Sequence, residues 1–252
     1  MTEPRSTLWI RRFQPRPTAR VRLVCLPHAG GSATFFAGLP ALLDREVEVL
    51  AVQYPGRQDR RGEPFVESLD HLARAVADEL LPWADRPLAL FGHSLGAVLG
   101  FEVARSLTAA GHVPAALFVS GRRAPSRQRR EYAHALDDDG LLREIRTLSG
   151  TDDRVLADEE LLRMVLPAVR ADYRIVENYR YTPGPPLDCP LTVFTGADDP
   201  KVSADEAEAW REHTTDAFDL VTLSGGHFFL TAHQERLAEV ITKGLAPFLA
   251  RR

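Results

Sequence analysis

A serine flanked by glycines stands in Gly92-His93-Ser94-Leu95-Gly96. This string matches G-x-S-x-G, the tight turn that holds a nucleophilic serine between a strand and a helix. A short apolar run at 88–91 precedes the string and a helical pattern begins at Leu95, which is the context that the motif requires. Glycines two residues before and after the serine let neighbouring backbone pass close by. We therefore predict Ser94 as a nucleophile; the alternative is a Gly-Ser turn without a chemical role.

Residues that would activate this serine follow it along the chain. A serine hydroxyl is a poor nucleophile until a base takes its proton, and after this turn the acid and then the histidine follow in chain order. Asp198 and Asp199 stand directly after one late strand-like run, and His227 stands after the next. We predict His227 as the general base and later the general acid. The alternative is a histidine of an ordinary surface loop.

The two adjacent aspartates would point in different directions, so only one of them can orient the histidine. Asp199 precedes Pro200, which biases the aspartate backbone toward an extended conformation at the exit of the strand. We therefore predict Asp199 as the acid. Asp198 would then bond local backbone in the turn.

Chemistry of this kind also needs backbone N–H groups that bind an oxyanion. One is expected from Leu95, the residue after the nucleophile, and another from the loop after an early strand. That loop is Pro27-His28-Ala29-Gly30-Gly31, and we predict the N–H of Ala29 as its donor because glycines let backbone approach a substrate oxygen. His28 is a possible second base, although we expect it to shape the loop. The loop matches neither phosphate-binding glycine pattern, G-x-x-x-x-G-K-[ST] or G-x-G-x-x-G.

These residues must be positioned by strands and helices that alternate along most of the chain. Short apolar runs predict strands at 21–26, 47–54, 87–91, 115–120, 191–195 and 218–223. Helical spacing predicts helices from Ser68 to Pro82, over 95–110 and over 236–248. The alternation predicts an α/β fold with a mostly parallel sheet and helices on both faces. One such domain can fill all 252 residues.

One segment, residues 122–190, breaks the alternation. It contains helical patterns without a convincing strand, and the second pattern includes Pro167, where we expect the helix to bend or break. The apolar stripes are Leu141, Leu142, Ile145 and Leu148, then Leu162, Val165, Leu166, Val169, Tyr173 and Val176. We predict that 122–190 is a helical lid inserted into the single domain, with the proline-rich stretch 183–186 returning the chain to the sheet.

Composition and charge exclude several classes of protein. The chain is 44% hydrophobic and 26% charged, with a formal net charge of −4, which excludes a disordered chain and gives no basic field for nucleic acid. No apolar run approaches the roughly 18 residues that span a membrane, and the N-terminus has no apolar signal segment, so we expect a cytoplasmic protein. Cys25 and Cys189 match no metal or redox spacing and are predicted to be buried thiols. The spacing of His227 and His233 fits no metal pair, and no metal or cofactor is predicted.

Several strings together resemble those of the type II thioesterases, the stand-alone editing hydrolases of polyketide and non-ribosomal peptide assembly lines. The strings are Pro27-His28-Ala29-Gly30-Gly31, Tyr54-Pro55-Gly56-Arg57, Gly92-His93-Ser94-Leu95-Gly96, Arg170-Ala171-Asp172-Tyr173 and Gly225-Gly226-His227-Phe228-Phe229-Leu230. The resemblance covers nearly the whole chain and implies an α/β-hydrolase fold. It places the family's triad on Ser94, Asp199 and His227 and its oxyanion donors on Ala29 and Leu95. It also implies hydrolysis of stalled or mis-primed acyl groups from the phosphopantetheine arm of acyl or peptidyl carrier domains.

The residues by themselves support the reaction but leave the substrate open. A thiol has a pKa of about 8–9 and leaves far more readily than an amine, so a Ser-His-Asp site suits thioesters. The same site suits oxygen esters, so a general carboxylesterase or lipase is an alternative. Transfer of the acyl group to an alcohol or amine instead of water is another. A non-catalytic binding module is disfavoured because the serine, the acid, the histidine and the glycine loop are all present.

A cluster of cationic side chains stands at the start of the predicted lid, at 121–130. It contains Arg122, Arg123, Arg127, Arg129 and Arg130. Because a carrier protein would present an acidic surface, this segment is suited to steer it toward the site. The alternative is a solvated charged loop. We expect a carrier protein as the partner, and neither nucleic acid nor a membrane.

Overall fold

The computed structural model of the chain describes residues 8–148 and 159–250, and within them seven strands form one sheet. The strands are β1 (Ile10–Arg11), β2 (Val21–Leu26), β3 (Val47–Val52), β4 (Leu88–His93), β5 (Ala116–Ser120), β6 (Leu191–Gly196) and β7 (Phe218–Leu223). Their order is β1-β3-β2-β4-β5-β6-β7, and all neighbours are parallel except β1, which pairs antiparallel with β3. The predicted α/β class with a mostly parallel sheet is confirmed. Strand β1 was not predicted, because two residues are too few to show a strand pattern.

Helices connect the strands. In the described part of the chain they are α1 (Leu39–Leu42), α2 (Leu69–Leu80), α3 (Leu95–Ala109), α4 (Asp138–Leu148), α5 (Glu159–Asn178), α6 (Ala204–Glu208), α7 (Gln234–Gly244) and α8 (Ala246–Leu249). Helix α2 begins where the Ser68 side chain accepts a hydrogen bond from the His71 N–H, which satisfies one of the free donors of the first turn. No helix in residues 8–148 and 159–250 is both long enough and apolar enough to span a membrane.

Two helix predictions need correction. The helix predicted over 236–248 is divided at Leu245 into α7 and α8, because Pro247 has no N–H to continue the hydrogen-bond ladder and its ring crowds the preceding turn. Helix α5, in contrast, continues through Pro167, so of the predicted bend or break the break is wrong and the bend stays a prediction. One proline removes one helical hydrogen bond, and the buried face of α5 continues from Leu166 to Val169 across it.

The sheet is covered on both faces. Alternate side chains of a strand point to opposite faces, so Val24 and Leu26 pack with α2 and α3, whereas Leu23 and Cys25 pack with α7. Strands buried on both faces are typical of parallel sheets, and β2, β3, β4 and β5 are buried at every position. Cys25 and Cys189 are free and buried, as predicted.

Helices α4 and α5, with the turn at Ala133–Ala135, form the structure that we call the lid. They pack on each other through a small apolar cluster of Ala133, Leu141, Leu142, Leu166 and Val169. The side chain of Leu162, predicted on the same stripe, lies outside the described residues. After α5 the chain continues without a helix to β6, with one parallel bridge between Leu187 and Thr214. The limits of the lid at 122 and 190 stay a prediction.

Candidate active site

Ser94 lies on a strained turn between β4 and α3. Its backbone has φ 54° and ψ −112°, a conformation that costs free energy in a non-glycine residue. Its N–H donates to Ser120 O of the neighbouring strand at 2.8 Å. A Cβ at Gly92 would lie 2.7 Å from Ala97 N, and one at Gly96 would lie 2.8 Å from Pro27 O. Both glycines of the motif are therefore required by close backbone contacts.

Ser94, His227 and Asp199 form one hydrogen-bonded chain. His227 Nε2 lies 3.0 Å from Ser94 Oγ, and His227 Nδ1 lies 2.9 Å from Asp199 Oδ2. The other carboxylate oxygen, Asp199 Oδ1, accepts the Lys201 N–H at 2.9 Å. An Nδ1–H that donates to Asp199 leaves Nε2 as the acceptor for the serine O–H. This geometry suits proton transfer from Ser94 to His227.

The structure separates the two adjacent aspartates. Asp199 is buried, and so is His227, to which it is hydrogen-bonded. Asp198 is exposed, and its backbone N–H donates to Gly225 O at 3.0 Å. Of the two carboxylates, Asp199 is the one that contacts the histidine.

The two N–H groups predicted to bind an oxyanion lie at the same edge of the sheet. Leu95 is the first residue of α3, so its N–H has no acceptor in its own helix. Ala29 lies in the loop after β2, which we call the PHAGG loop (27–31). The start of this loop packs closely against α3, since a Cβ added at Gly96 would lie only 2.8 Å from Pro27 O. The loop and the start of α3 thus flank the same turn.

Comparison with known proteins agrees with this architecture. A family model described as a thioesterase domain matches residues 21–245, which is most of the chain. The chain belongs to the thioesterase family.

Three relatives show which thioesterases this one resembles. It is 51% identical to "Thioesterase PikA5" of Streptomyces venezuelae over 95% of this chain and 86% of that protein. It is 50% identical to a "Probable cadicidin biosynthesis thioesterase" of Streptomyces griseus, and the match covers 95% of this chain and 66% of the relative. The solved type II thioesterase BorB from the borrelidin biosynthetic cluster superposes with a TM-score of 0.91 at 52% identity, covering 96% of this chain and 99% of that one. The predicted resemblance to type II thioesterases is confirmed, and the chain is a hydrolase that acts on thioesters.

Two further histidines of this thioesterase lie near His227, and of these His93 contacts its ring. The His93 ring centre lies 5.1 Å from that of His227, and its Nδ1 lies 3.0 Å from Ser120 Oγ. The His28 ring packs edge-on against Phe35 and Phe228 at 4.7 and 4.9 Å. This packing agrees with the expected role of His28 in shaping the loop.

Burial keeps both of these histidines neutral. It lowers the pKa of His28 to about 3, and a positive charge on His227 or on Arg57 adds to the effect. Burial likewise holds the pKa of His93 well below its usual value, again with a contribution from His227. A neutral neighbour does not oppose a charge on His227, so an imidazolium at this position would have no cationic ring beside it.

The sequence did not single out several residues that contact this site. Lys201 donates its N–H to Asp199, and its Nζ binds Glu144 of α4 and Glu131, so it joins the turn after β6 to the lid. Arg57 and Asp172 form a buried ion pair, with Arg57 Nη1 2.7 Å from Asp172 Oδ2. Both stand in strings that carried the family resemblance, but a string does not show which residues meet. Among the described residues, no group of three or more His, Cys, Asp or Glu side chains is placed to hold a metal ion.

Proposed function

We propose that this thioesterase releases acyl groups from the phosphopantetheine arm of acyl or peptidyl carrier proteins, with Ser94, His227 and Asp199 as its catalytic triad. The observation that supports the triad most directly is the continuous hydrogen-bonded chain from Ser94 Oγ through His227 to Asp199, at 3.0 and 2.9 Å. The carrier-bound substrate is supported by the family resemblance to editing enzymes of polyketide and peptide assembly lines.

The geometry implies a two-step reaction through an acyl-enzyme. Ser94 Oγ attacks the thioester carbonyl while His227 Nε2 takes the serine proton, and Asp199 holds the imidazole in the required tautomer. The N–H groups of Leu95 and Ala29 donate to the oxyanion that develops. The C–S bond then breaks, and the thiol leaves with the proton from His227. Water next gives a proton to His227 as it attacks the acyl-serine carbonyl. The bond between that carbon and Ser94 Oγ then breaks, His227 returns the proton to Ser94 Oγ, and the carboxylic acid leaves.

The cationic segment 121–130 is the surface that we propose for contact with the carrier. Three of its arginines pair with carboxylates in this structure, namely Arg123 with Glu131, Arg127 with Glu212 and Arg129 with Glu206. These ion pairs reduce the positive electrostatic potential that the arginines of this segment would otherwise produce. Arg127 and Glu212 are both about half exposed, at 44% and 52%, and exposed ion pairs are weak. An acidic carrier surface is therefore able to replace Glu212 as the partner of Arg127.

Charge reversal tests this contact. Changing Arg127, Arg129 and Arg130 to glutamate should raise KM for a carrier-bound thioester at low salt and leave KM for a small soluble thioester unchanged. Electrostatic steering is screened by salt, so the difference should diminish as the ionic strength rises. If turnover of the carrier-bound substrate at low salt is unchanged, this segment is not the docking surface.

The proposed function is tested with one acyl group presented in two ways. The acyl group is loaded on a phosphopantetheinyl carrier protein and, separately, attached as a p-nitrophenyl ester, and Ser94→Ala serves as the blank for both. We expect a higher kcat/KM for the carrier-bound thioester and no turnover above background in the variant. Equal or faster turnover of the free ester would favour a general esterase. Carrier-bound turnover that persists in the variant would remove Ser94 as the nucleophile.

A further inference from the structure

The lid reaches the PHAGG loop directly, through two residues of α5. Asp172 Oδ2 accepts the Gly30 N–H at 2.7 Å. Gly30 has φ +73°, and a Cβ there would lie 3.5 Å from Val169 Cβ and closer still to its Cγ2. The glycine next to Ala29 is therefore both hydrogen-bonded to α5 and enclosed by it.

Arg57 connects the same carboxylate to the body of the protein. Its Nη1 and Nη2 donate to the two oxygens of Asp172 at 2.7 and 3.0 Å, a bidentate arrangement that fixes both side chains. Arg57 Nη1 also lies 3.3 Å from Gly31 O, and its Nε donates to Pro55 O. The side chains of Arg57 and Asp172 are only 7% and 4% exposed. Because an unpaired buried charge is costly, the two side chains stabilise the docked position of α5 as long as they remain buried.

These contacts fix the orientation of the peptide group that contains the Ala29 N–H. Gly31 is held at its carbonyl by Arg57, and its N–H donates to His28 O at 2.9 Å. His28 C=O and Ala29 N–H belong to one peptide group, and in a planar trans peptide they point in opposite directions. Fixing His28 O on one side therefore aims the Ala29 N–H to the other. Asp172 holds the adjacent peptide group through Gly30.

We infer that Asp172 is a positioning residue, which with Arg57 holds the PHAGG loop in the shape that points the Ala29 N–H at the oxyanion, so that the oxyanion site is complete only when α5 of the lid is docked. This inference rests on the proposed role of Ala29. It makes docking of the lid a condition for turnover, since the carboxylate that completes the site belongs to the lid.

The test compares two carboxylates of the lid. Asp172→Asn preserves the size of the side chain but removes its charge, and Asp172→Ala removes both the charge and the acceptor. Asp138→Ala is the matched control, because Asp138 also joins α4 and α5, through Arg170 at 2.7 Å, but it is 60% exposed and has no bond to the loop. Arg57→Lys preserves the charge and loses the bidentate geometry.

The measurements are kcat and KM for a soluble acyl-N-acetylcysteamine thioester, the Kd of an alkylboronic acid that mimics the tetrahedral intermediate on Ser94, and the melting temperature. Loss of an oxyanion donor costs about 10²–10³ in kcat, so we expect Asp172→Ala to approach a loss of about 10² with KM nearly unchanged. Boronate affinity should fall in parallel with kcat. Asp172→Asn and Arg57→Lys should lose less, and Asp138→Ala should match the wild type.

A purely structural role predicts a different pattern. If Asp172→Ala does not fold, Asp172→Asn and Arg57→Lys carry the test. The inference is overturned if the folded variants keep wild-type kcat, if kcat falls while boronate affinity stays the same, or if Asp138→Ala loses as much activity as Asp172→Asn. An inactive wild-type enzyme on both carrier-bound and soluble thioesters would instead refute the proposed function itself.

Discussion

Gly96→Ala places a methyl group where the backbone after β2 passes α3. A Cβ at this position would lie 2.8 Å from Pro27 O, 2.7 Å from the Leu26 carbonyl carbon and closer still to Leu26 O. Such contacts are below the 3.0 Å that real Cβ atoms keep, and backbone atoms cannot rotate away. The end of β2 and the start of the PHAGG loop must therefore move by several tenths of an ångström to about 1 Å, because the interior is close-packed.

The activity should fall more than the stability. Overpacking of this kind costs about 1–3 kcal/mol, and alanine regains about 1 kcal/mol of helix propensity over glycine. The net cost of about 0–2 kcal/mol lowers the melting temperature by at most about 8 °C in a chain of this length. A displacement approaching 1 Å at the oxyanion donor costs about 10² in turnover.

Gly100→Ala, one helical turn further along α3, is the control. A Cβ at Gly100 would meet the ends of two side chains, Leu26 Cδ1 at 3.1 Å and Leu117 Cδ1 at 3.6 Å, which are able to adjust. We expect wild-type kcat and a melting temperature that is unchanged or slightly higher. Both variants are assayed for thermal unfolding and for kcat on a soluble thioester. Wild-type kcat in Gly96→Ala, or an equal loss in Gly100→Ala, would refute the reasoning.

Three further predictions follow from burial. Asp199→Asn should lower kcat by about 10⁴ by favouring the wrong histidine tautomer, whereas Asp198→Asn, on an exposed side chain, should match the wild type; equal kcat values would contradict the assignment. Burial lowers the pKa of His213 to about 4, so between pH 4 and 6.5 the unfolded chain binds a proton that the native protein excludes. The free energy of unfolding, measured in urea, should therefore fall by up to about 1.4 kcal/mol per pH unit between pH 6.5 and 4 on this account and not further below pH 4, and His213→Gln should lose that part of the slope. Cys25 and Cys189 are buried, and burial raises the pKa of Cys189 to about 12, so a thiol reagent should label neither before unfolding; rapid labelling of the native protein would exclude the packing described here.

Local patterns in the sequence were sufficient for most strands and for the main residues of the candidate site. The run before Ser94 has the composition of a strand buried on both faces, and the glycines on either side of Ser94 mark the turn. The turn that holds the serine is therefore predictable from a few consecutive residues. His227 was predicted because chain order indicates which loop contains the base, and the structure places its Nε2 3.0 Å from Ser94 Oγ. These signals are local or topological, and they do not depend on how side chains meet. The two helix predictions that needed correction, the break at Pro167 and the single helix over 236–248, concern prolines whose effect depends on the packing around them.

The sequence favours Asp199 over Asp198 only through the proline that follows it, whereas the tertiary structure shows that Asp199 is buried against His227 and that Asp198 is exposed. The sequence does not place Arg57 beside Asp172, which stands 115 residues further along the chain. Their contact depends on the lid folding back over the PHAGG loop. The sequence by itself determined which groups are available for thioester chemistry. The packing of the lid determined which side chains contact the PHAGG loop, since hydrogen bonds between distant segments form only after the chain has folded.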